Sequence, residues 1–429
     1  FGVQDTKTEK PVTAKTVFEA ASLSKPVFAY GVLKLVEKGV LDLDKPLMQY
    51  VTEDFVKEKI STTIVKDERL QQITARMVLT HSCGFPNWRQ GDLKILFKPG
   101  ERFRYSGEGF VFLQRVVEKL TGKKLEDFMR ETVLNPLGMI DSSYVWEKRF
   151  DEQGAAAHKY LKSTGQRKGS QGNAAASLRT TSADYARFVL SIMNDQGLKK
   201  ETIGEMLKPH SKPEKTESIF WGLGIGLQHT DQGKAYWHWG DNGNFKAFFT
   251  AFKKEKLGVV YFANCYSGLS TAADLVQLAI GGEHPVITSK LMEYDRWDSF
   301  PVRMVRLFLE KGFDEVIKKI EAMKKDPAQR EKVSEKALQR LASAIQDTGD
   351  KHAALKIFQM NLESHPQSFA AHRDLGRAFL EKDDLEKAKL SYKKALTLNK
   401  EGKFDTGPVN WAMAFIKGLE KPLPLPENH

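Results

Sequence analysis

A serine and a lysine three residues apart, Ser22 and Lys25, are a pair whose types and spacing could do chemistry. Residues three apart on a helix lie on one face, so the hydroxyl and the amine can meet. A buried amine at the positive end of a helix loses its charge more readily than one in water. A neutral amine can take the proton of a serine hydroxyl, and such a pair makes serine nucleophilic without a histidine.

The residues around this pair predict a buried helix that begins near Ser22. Pro26 is tolerated only in the first turn of a helix, and a long apolar run follows it. A simple helix cap by Ser22 or Ser24 is the other interpretation, and this stretch alone does not decide between the two. The same spacing recurs at Ser391 and Lys394 in a later helical segment, so spacing alone is a weak signal.

Two further stretches carry groups that would complete such a site. Tyr105 stands in a turn of small residues, YSGEG, ahead of an apolar helix. His238 stands in the stretch HWGDNG, ahead of a strand-like run. The order S-x-x-K, Y-S-x and H-x-G is far more specific than any one motif. We therefore predict that both groups join Ser22 and Lys25 in one catalytic site.

In these motifs the chain resembles the serine β-lactamase and penicillin-binding-protein superfamily, on the branch of class C β-lactamases, D-alanyl-D-alanine carboxypeptidases and related esterases. The resemblance extends over roughly residues 1–285 and includes LTHSCGFP at 79–86, NPLGM at 135–139 and ASLRTTSAD at 176–184. It implies an α/β (α+β) fold, in which an antiparallel sheet is flanked by helices.

The resemblance implies a role for each residue of the predicted site. Ser22 is the acylated nucleophile, and Lys25 takes its proton. Tyr105, its phenol kept acidic by the nearby ammonium, passes protons to the leaving group and activates the deacylating water. His238 stands where the family often has lysine, and it binds or orients the substrate. The backbone N–H groups of Ser22 and Asp241 form the oxyanion hole.

Departures from the family pattern bear on the substrate. Gly107 stands where β-lactamases and carboxypeptidases usually have an asparagine that holds the substrate's amide. His238, Trp239 and Gly240 replace K-T-G, which removes the cation and the hydroxyl that recognise a substrate carboxylate. We expect poor β-lactam hydrolysis. Trp239 and Tyr160 are further candidates for the wall of the substrate pocket.

We therefore predict a serine hydrolase that acts through an acyl-serine on small carboxylic esters or peptide amides. The alternative in the same reaction class is a D-amino-acid-directed peptidase, carboxypeptidase or weak β-lactamase on cell-wall-type substrates. The alternative of another class is an inactive peptide- or peptidoglycan-binding protein, although a dead site does not need Ser22, Lys25 and Tyr105 together. His81 and Cys83 have no second pair at ligand spacing, so we predict neither a metal nor a cofactor.

Beyond residue 300 the sequence changes to long amphipathic segments rich in Lys, Glu, Leu and Ala. We predict a hydrolase domain at 1–285, a linker at 286–300 and an all-α tetratricopeptide-like domain at 301–429. Its repeats form either a plain helical bundle or a shallow groove for a peptide or protein partner. Residues of matching type stand 34 positions apart, the tetratricopeptide period: Leu341, Ile345, Ala354 and Phe358, then Leu375, Phe379, Ala388 and Tyr392.

The composition argues against several classes of protein. A chain of 429 residues with 41% hydrophobic residues forms two or three domains and is not disordered. The net charge of +11 is spread among acidic residues, so we predict no nucleic-acid partner. No apolar run approaches the 18 or so residues of a transmembrane helix. We interpret the start at Phe1 as a trimmed end, and the resemblance implies an extracytoplasmic, periplasmic or secreted location.

Overall fold

The computed structural model describes residues 1–159, 162–213, 217–292, 294–399, 404 and 406–419. The chain divides into two compact units, Phe1–Tyr294 and Asp295–His429. Residues 286–292, which we predicted as part of a linker, belong to the first unit. There Val286 and Met292 lie in a buried cluster with the indole of Trp221. This apolar packing extends the first unit beyond residue 285.

The first unit contains eleven short strands in the part of the chain that is described. They are β1 Val3–Asp5, β2 Lys10–Pro11, β3 Phe18–Glu19, β4 Ala157–Lys159, β5 Lys162–Gly165, β6 Arg179–Thr180, β7 Ile219–Trp221, β8 Gly226–Thr230, β9 Gly233–Asp241, β10 Lys246–Phe252 and β11 Leu257–Ala263.

Five of these strands form the main antiparallel sheet, in the order β11-β10-β9-β8-β7. Strand β9 is the central strand, and His238 lies opposite Phe249 of β10 in its register. The rings of His238 and Trp239, neighbours on this strand, stack on each other with 5.3 Å between their centroids. Both rings, and that of Trp237, also contact the indole of Trp221. The central strand therefore contributes a histidine and two indoles to one aromatic cluster.

Helices of the first unit cover the sheet. They are α1 Ser24–Glu37, α2 Glu53–Lys59, α3 Ala75–Leu79, α4 Gly107–Thr121, α5 Leu125–Met129, α6 Phe150–Gln153, α7 Ser182–Met193, α8 Lys200–Met206, α9 Ala272–Ile280 and α10 Pro285–Thr288. Helix α1 packs in the main core with α7 and with residues of β10, whereas α9 and α10 pack in a second core on Trp237. This confirms the predicted antiparallel sheet flanked by helices.

Helix α1 is almost completely buried because its sequence is apolar on nearly every face. From Val27 to Leu33 every residue is buried, and the run includes the aromatic rings of Phe28 and Tyr30. A helix enclosed in this way holds its first turn rigidly. That first turn carries Lys25.

The second unit is helical in its described residues. Its helices are α11 Phe300–Lys311, α12 Phe313–Lys325, α13 Pro327–Arg330, α14 Glu335–Thr348, α15 Lys351–Ser364, α16 Phe369–Leu380, α17 Leu385–Leu398 and α18 Gly407–Leu419. The predicted 34-residue repeat coincides with the pairs α14–α15 and α16–α17. Ala354 and Ala388 are buried in corresponding positions, where a small side chain lets two helices approach.

None of the described helices combines the length and apolar character that a membrane span requires.

Candidate active site

Ser22 lies in a single turn of 3₁₀ helix, Ala21–Leu23, which leads directly into α1. In a 3₁₀ turn the side chains of residues three apart eclipse one another. The Ser22 hydroxyl and the Lys25 amine accordingly meet, with 3.0 Å between Oγ and Nζ. The structure thus brings the predicted pair into hydrogen-bond contact.

The residue before the serine has an unfavourable backbone conformation. Ala21 has a φ of +50°, a region that costs a residue with a Cβ about 1–2 kcal/mol. Ser24 holds this turn: its hydroxyl donates to the Ala21 carbonyl at 2.5 Å and accepts from the Leu178 N–H at 2.9 Å. Ser24 therefore does not cap α1, as one interpretation of the sequence had it, but fixes the backbone that presents Ser22.

The amine of Lys25 is fully buried. It donates to the carbonyl of Ala175 at 2.8 Å and contacts Ser22 Oγ. Burial lowers the pKa of Lys25 from 10.5 to about 7, because a charged ammonium is poorly solvated there. Near neutral pH a large fraction of Lys25 is therefore an uncharged amine, whose lone pair can accept a proton.

Tyr105 lies against this amine. The Lys25 Nζ is 4.8 Å from the centroid of the Tyr105 ring. The phenol oxygen is buried and forms no well-aligned hydrogen bond with any described residue. Burial raises the pKa of Tyr105 above its usual value of 10, and the nearby Ser22 hydroxyl lowers it only in part. The pKa of this phenol is therefore raised, contrary to the expectation that the ammonium keeps it acidic, because burial outweighs the hydrogen bond with Ser22.

His238 is fully buried on β9, and its ring centroid is 6.1 Å from that of Tyr105. Its Nδ1 lies 2.7 Å from the carbonyl oxygen of Trp239, which makes Nδ1 the protonated nitrogen. Its Nε2 is buried without a partner among the described residues. Burial, assisted by the charge of Lys25, lowers the pKa of His238 to about 3. The imidazole is therefore neutral at physiological pH.

His81, which we considered only as a metal ligand and rejected, is a further neighbour of the site. Its ring lies 4.3 Å from the Tyr105 ring between centroids, and its Nδ1 accepts the N–H of Ser106 at 3.0 Å. The side chain is fully buried, and burial lowers its pKa well below 6.5. His81 thus holds the turn that carries Tyr105. Only the tertiary contact reveals this, because the two residues are far apart in sequence.

Gly240 brings the end of β9 against the serine turn. A Cβ at this position would overlap the Ala20 carbonyl oxygen and lie 3.2 Å from the Ala21 Cβ. The close approach places the backbone of Asp241 beside the segment that leads to Ser22. An oxyanion hole formed by the N–H groups of Ser22 and Asp241 remains a prediction.

Side chains around Asp241 hold this end of the strand in place. The Asp241 carboxylate accepts from Lys246 Nζ and from the Tyr294 hydroxyl, each at 2.6 Å. The next residue, Asn242, donates to the carboxylate of Glu19 at 2.8 Å, and Glu19 lies just upstream of the serine turn. This contact links the chain just after Asp241 to the chain just before the serine turn.

We expect Gly240→Ala to reduce ester turnover about a hundredfold, because a shift of about 1 Å is enough to misplace reacting groups. The added methyl group would push the strand end away from Ala20. The measurement is kcat together with the melting temperature. Gly204→Ala in α8 is the matched control, since a Cβ there meets nothing within 4 Å. Full turnover in Gly240→Ala would show that the close approach is not needed.

The remaining predicted site residues lie at the edge of this cluster or outside it. Trp239 packs its ring 5.0 Å from that of Tyr105, and Gly107 is the first residue of α4. Tyr160 lies outside the described residues. Glu108 is buried and paired with Arg89 at 2.6 Å, so it holds the adjacent loop. Within the described ranges, no group of three or more His, Cys, Asp or Glu side chains could hold a metal ion.

Comparison with known proteins identifies the family of the chain. The family model described as Beta-lactamase matches residues 1–280, so the chain belongs to the beta-lactamase family. A tetratricopeptide repeat model matches residues 374–401. A solved structure, the penicillin binding protein from Bacillus halodurans, is similar with a TM-score of 0.56 and 22% identity, over 65% of this chain and 90% of that one.

Two relatives of this chain, a penicillin-binding protein and an esterase, differ from each other in name. Penicillin-binding protein 4* of Bacillus subtilis is 22% identical over 62% of this chain. Lovastatin esterase of Penicillium rubens is 25% identical over 49% of this chain. In each comparison the match covers 64% of the relative's length, which is just under two thirds.

Proposed function

We propose that this protein is a serine hydrolase that cleaves carboxylic esters through an acyl-enzyme on Ser22. One observation carries the proposal: a fully buried lysine amine with a pKa of about 7 lies 3.0 Å from a serine hydroxyl. A general base is most effective when its pKa is near the working pH. A buried amine that is neutral near pH 7 can therefore serve as the base for this serine.

In acylation, the neutral Lys25 amine takes the proton of Ser22 while Oγ attacks the ester carbonyl carbon. The backbone N–H groups of Ser22 and Asp241 stabilise the negative oxygen of the tetrahedral intermediate. The carbon–oxygen bond to the alcohol then breaks. Tyr105 gives its proton to the departing alkoxide and receives one from the Lys25 ammonium, so the amine is neutral again.

Deacylation reverses these proton movements. Water attacks the acyl carbon and gives a proton to Tyr105, which passes its own proton to Lys25. The bond to Oγ then breaks, Lys25 returns the proton to Ser22, and the carboxylic acid leaves. Because burial raises the pKa of Tyr105, we assign it the transfer of protons between neighbours and not the role of a stable phenolate.

The charges around the site favour a neutral ester over a substrate with a free carboxylate. His238 stands where the family often has a cation, yet its imidazole is neutral because its pKa is about 3. Lys246, on the next strand, is already paired with Asp241 at 2.6 Å. Gly107 offers no side-chain amide to hold a peptide. A carboxypeptidase substrate would therefore lack its usual partners at these positions.

The test is covalent labelling followed by a comparison of substrates. We expect a fluorophosphonate to form an adduct on Ser22 that mass spectrometry locates. We also expect turnover of p-nitrophenyl butyrate to exceed that of a D-Ala-D-Ala peptide, and Tyr105→Phe to lose most of it. The absence of an adduct on Ser22 would refute the proposal. Cleavage of the peptide alone would instead support the D-amino-acid-directed peptidase. An extracytoplasmic location stays a prediction of the family resemblance.

A further inference from the structure

The space beside Gly107 is filled by the indole of Trp88. A Cβ at Gly107 would lie 2.8 Å from Trp88 Cη2 and 2.8 Å from the carbonyl oxygen of Asn87, closer than real Cβ contacts come. Any residue larger than glycine at position 107 would have to displace this ring or the backbone beside it. Only glycine at position 107 therefore leaves room for the Trp88 ring in this place.

The backbone at Ser106 relates the directions of its two neighbours. Ser106, between Tyr105 and Gly107, has an extended backbone with φ −139° and ψ 116°. In an extended segment, alternate side chains point to the same side. From this geometry the Cβ direction at Gly107, which the Trp88 ring occupies, follows the direction of the Tyr105 side chain.

The loop that carries Trp88 is firmly attached to the start of α4. The Asn87 carbonyl accepts the N–H groups of Gly107 and Glu108 at 3.0 Å each. Arg89 forms an ion pair with the buried carboxylate of Glu108 at 2.6 Å. The backbone on both sides of Trp88 is therefore held, while 47% of the residue stays exposed.

We propose that Trp88 forms one wall of a substrate subsite that selects esters carrying a flat apolar group, such as an aromatic ring. Trp239, whose ring lies 5.0 Å from that of Tyr105, borders the same phenol. Apolar and aromatic groups stack on exposed indole faces, whereas a peptide amide would lose hydrogen bonds to water there. This proposal rests on the proposed ester hydrolysis and names its substrate class.

The experiment compares two pairs of esters in wild type and Trp88→Ala. One pair varies the acyl group, p-nitrophenyl benzoate against p-nitrophenyl acetate. The other varies the alcohol, benzyl butyrate against ethyl butyrate. Loss of part of an apolar pocket changes selectivity about 10- to 200-fold. We expect the ratio of kcat/KM, aromatic over small, to fall about tenfold or more in one pair, which also identifies the side of the ester that Trp88 contacts.

Two further variants separate selectivity from damage to the fold. Trp88→Phe keeps an aromatic face and should keep most of the ratio. Leu96→Ala removes another exposed apolar side chain, 42% exposed, and should leave both ratios unchanged. Unchanged ratios in Trp88→Ala, or an equal fall for all four esters, would overturn the subsite. Fluorophosphonate labelling of Ser22 in the same proteins tests the proposed function separately.

Discussion

Replacing Ser22 with alanine is expected to reduce ester turnover by at least about 10⁴-fold, because no covalent intermediate can form without the hydroxyl. The Ser22 side chain is only partly buried, so the variant should fold and melt like the wild type. The measurement is the steady-state rate with p-nitrophenyl butyrate together with the melting temperature.

The chain contains its own control for this experiment. Ser391 and Lys394 have the same spacing as Ser22 and Lys25, but they lie on α17, where Lys394 is exposed to solvent. Ser391→Ala should therefore keep wild-type turnover. If Ser22→Ala stayed active, or if Ser391→Ala lost activity to the same degree, the assignment of the nucleophile would be wrong.

The second large effect is expected for Lys25→Met, which removes the amine and keeps an apolar chain of similar length. Loss of a general base lowers the rate about 10²- to 10⁴-fold. In the wild type, kcat/KM should rise with pH below about 7 and level off above it, because the base must be neutral to accept a proton. The variant should lose this rise, as shown by rates measured from pH 5 to 9.

The same lysine makes the stability of the wild type depend on pH. In the unfolded chain Lys25 keeps a pKa near 10.5, whereas in the folded state its pKa is about 7. Between these values the unfolded state binds the extra proton, so the free energy of unfolding rises as pH increases through this window. Below pH 7 the folded state must bury the charge, and its stability is lowest.

Urea unfolding of wild type and Lys25→Met, compared from pH 6 to 10, isolates this contribution as a difference. We expect the variant to gain stability relative to wild type at the acidic end and to lose that advantage toward pH 10. Lys394→Met, at an exposed lysine, should follow the wild-type curve. A constant difference across the range would mean that Lys25 titrates normally in the folded protein.

Local sequence was sufficient for the elements that carry the site. The apolar run after Pro26 predicted a buried helix, and α1 is buried as expected. The 34-residue period predicted the helix pairs of the second unit, because each pair repeats the same buried positions. In these cases the pattern of apolar residues alone decides which face is buried, so no distant contact is needed to infer it.

Other features depend on segments that are far apart in the chain. His81 supports Tyr105, and Trp88 fills the space at Gly107, but neither residue belongs to a motif that signals this. We expected the neighbouring lysine to lower the pKa of Tyr105. Burial raises it instead, and the depth of burial is not visible in the sequence. The phenol is buried because rings from several strands and loops pack around it. These residues are far apart in the sequence, so their packing cannot be inferred from it.

The sequence by itself therefore determined the candidate reacting groups, their order along the chain and the buried helix that carries Lys25. It did so because spacing on a helix and the types of the side chains are local properties. Only the tertiary structure decided the protonation of those groups and the shape of the space around them. Both follow from which distant side chains exclude water, and that depends on how the loops and the sheet pack around Ser22.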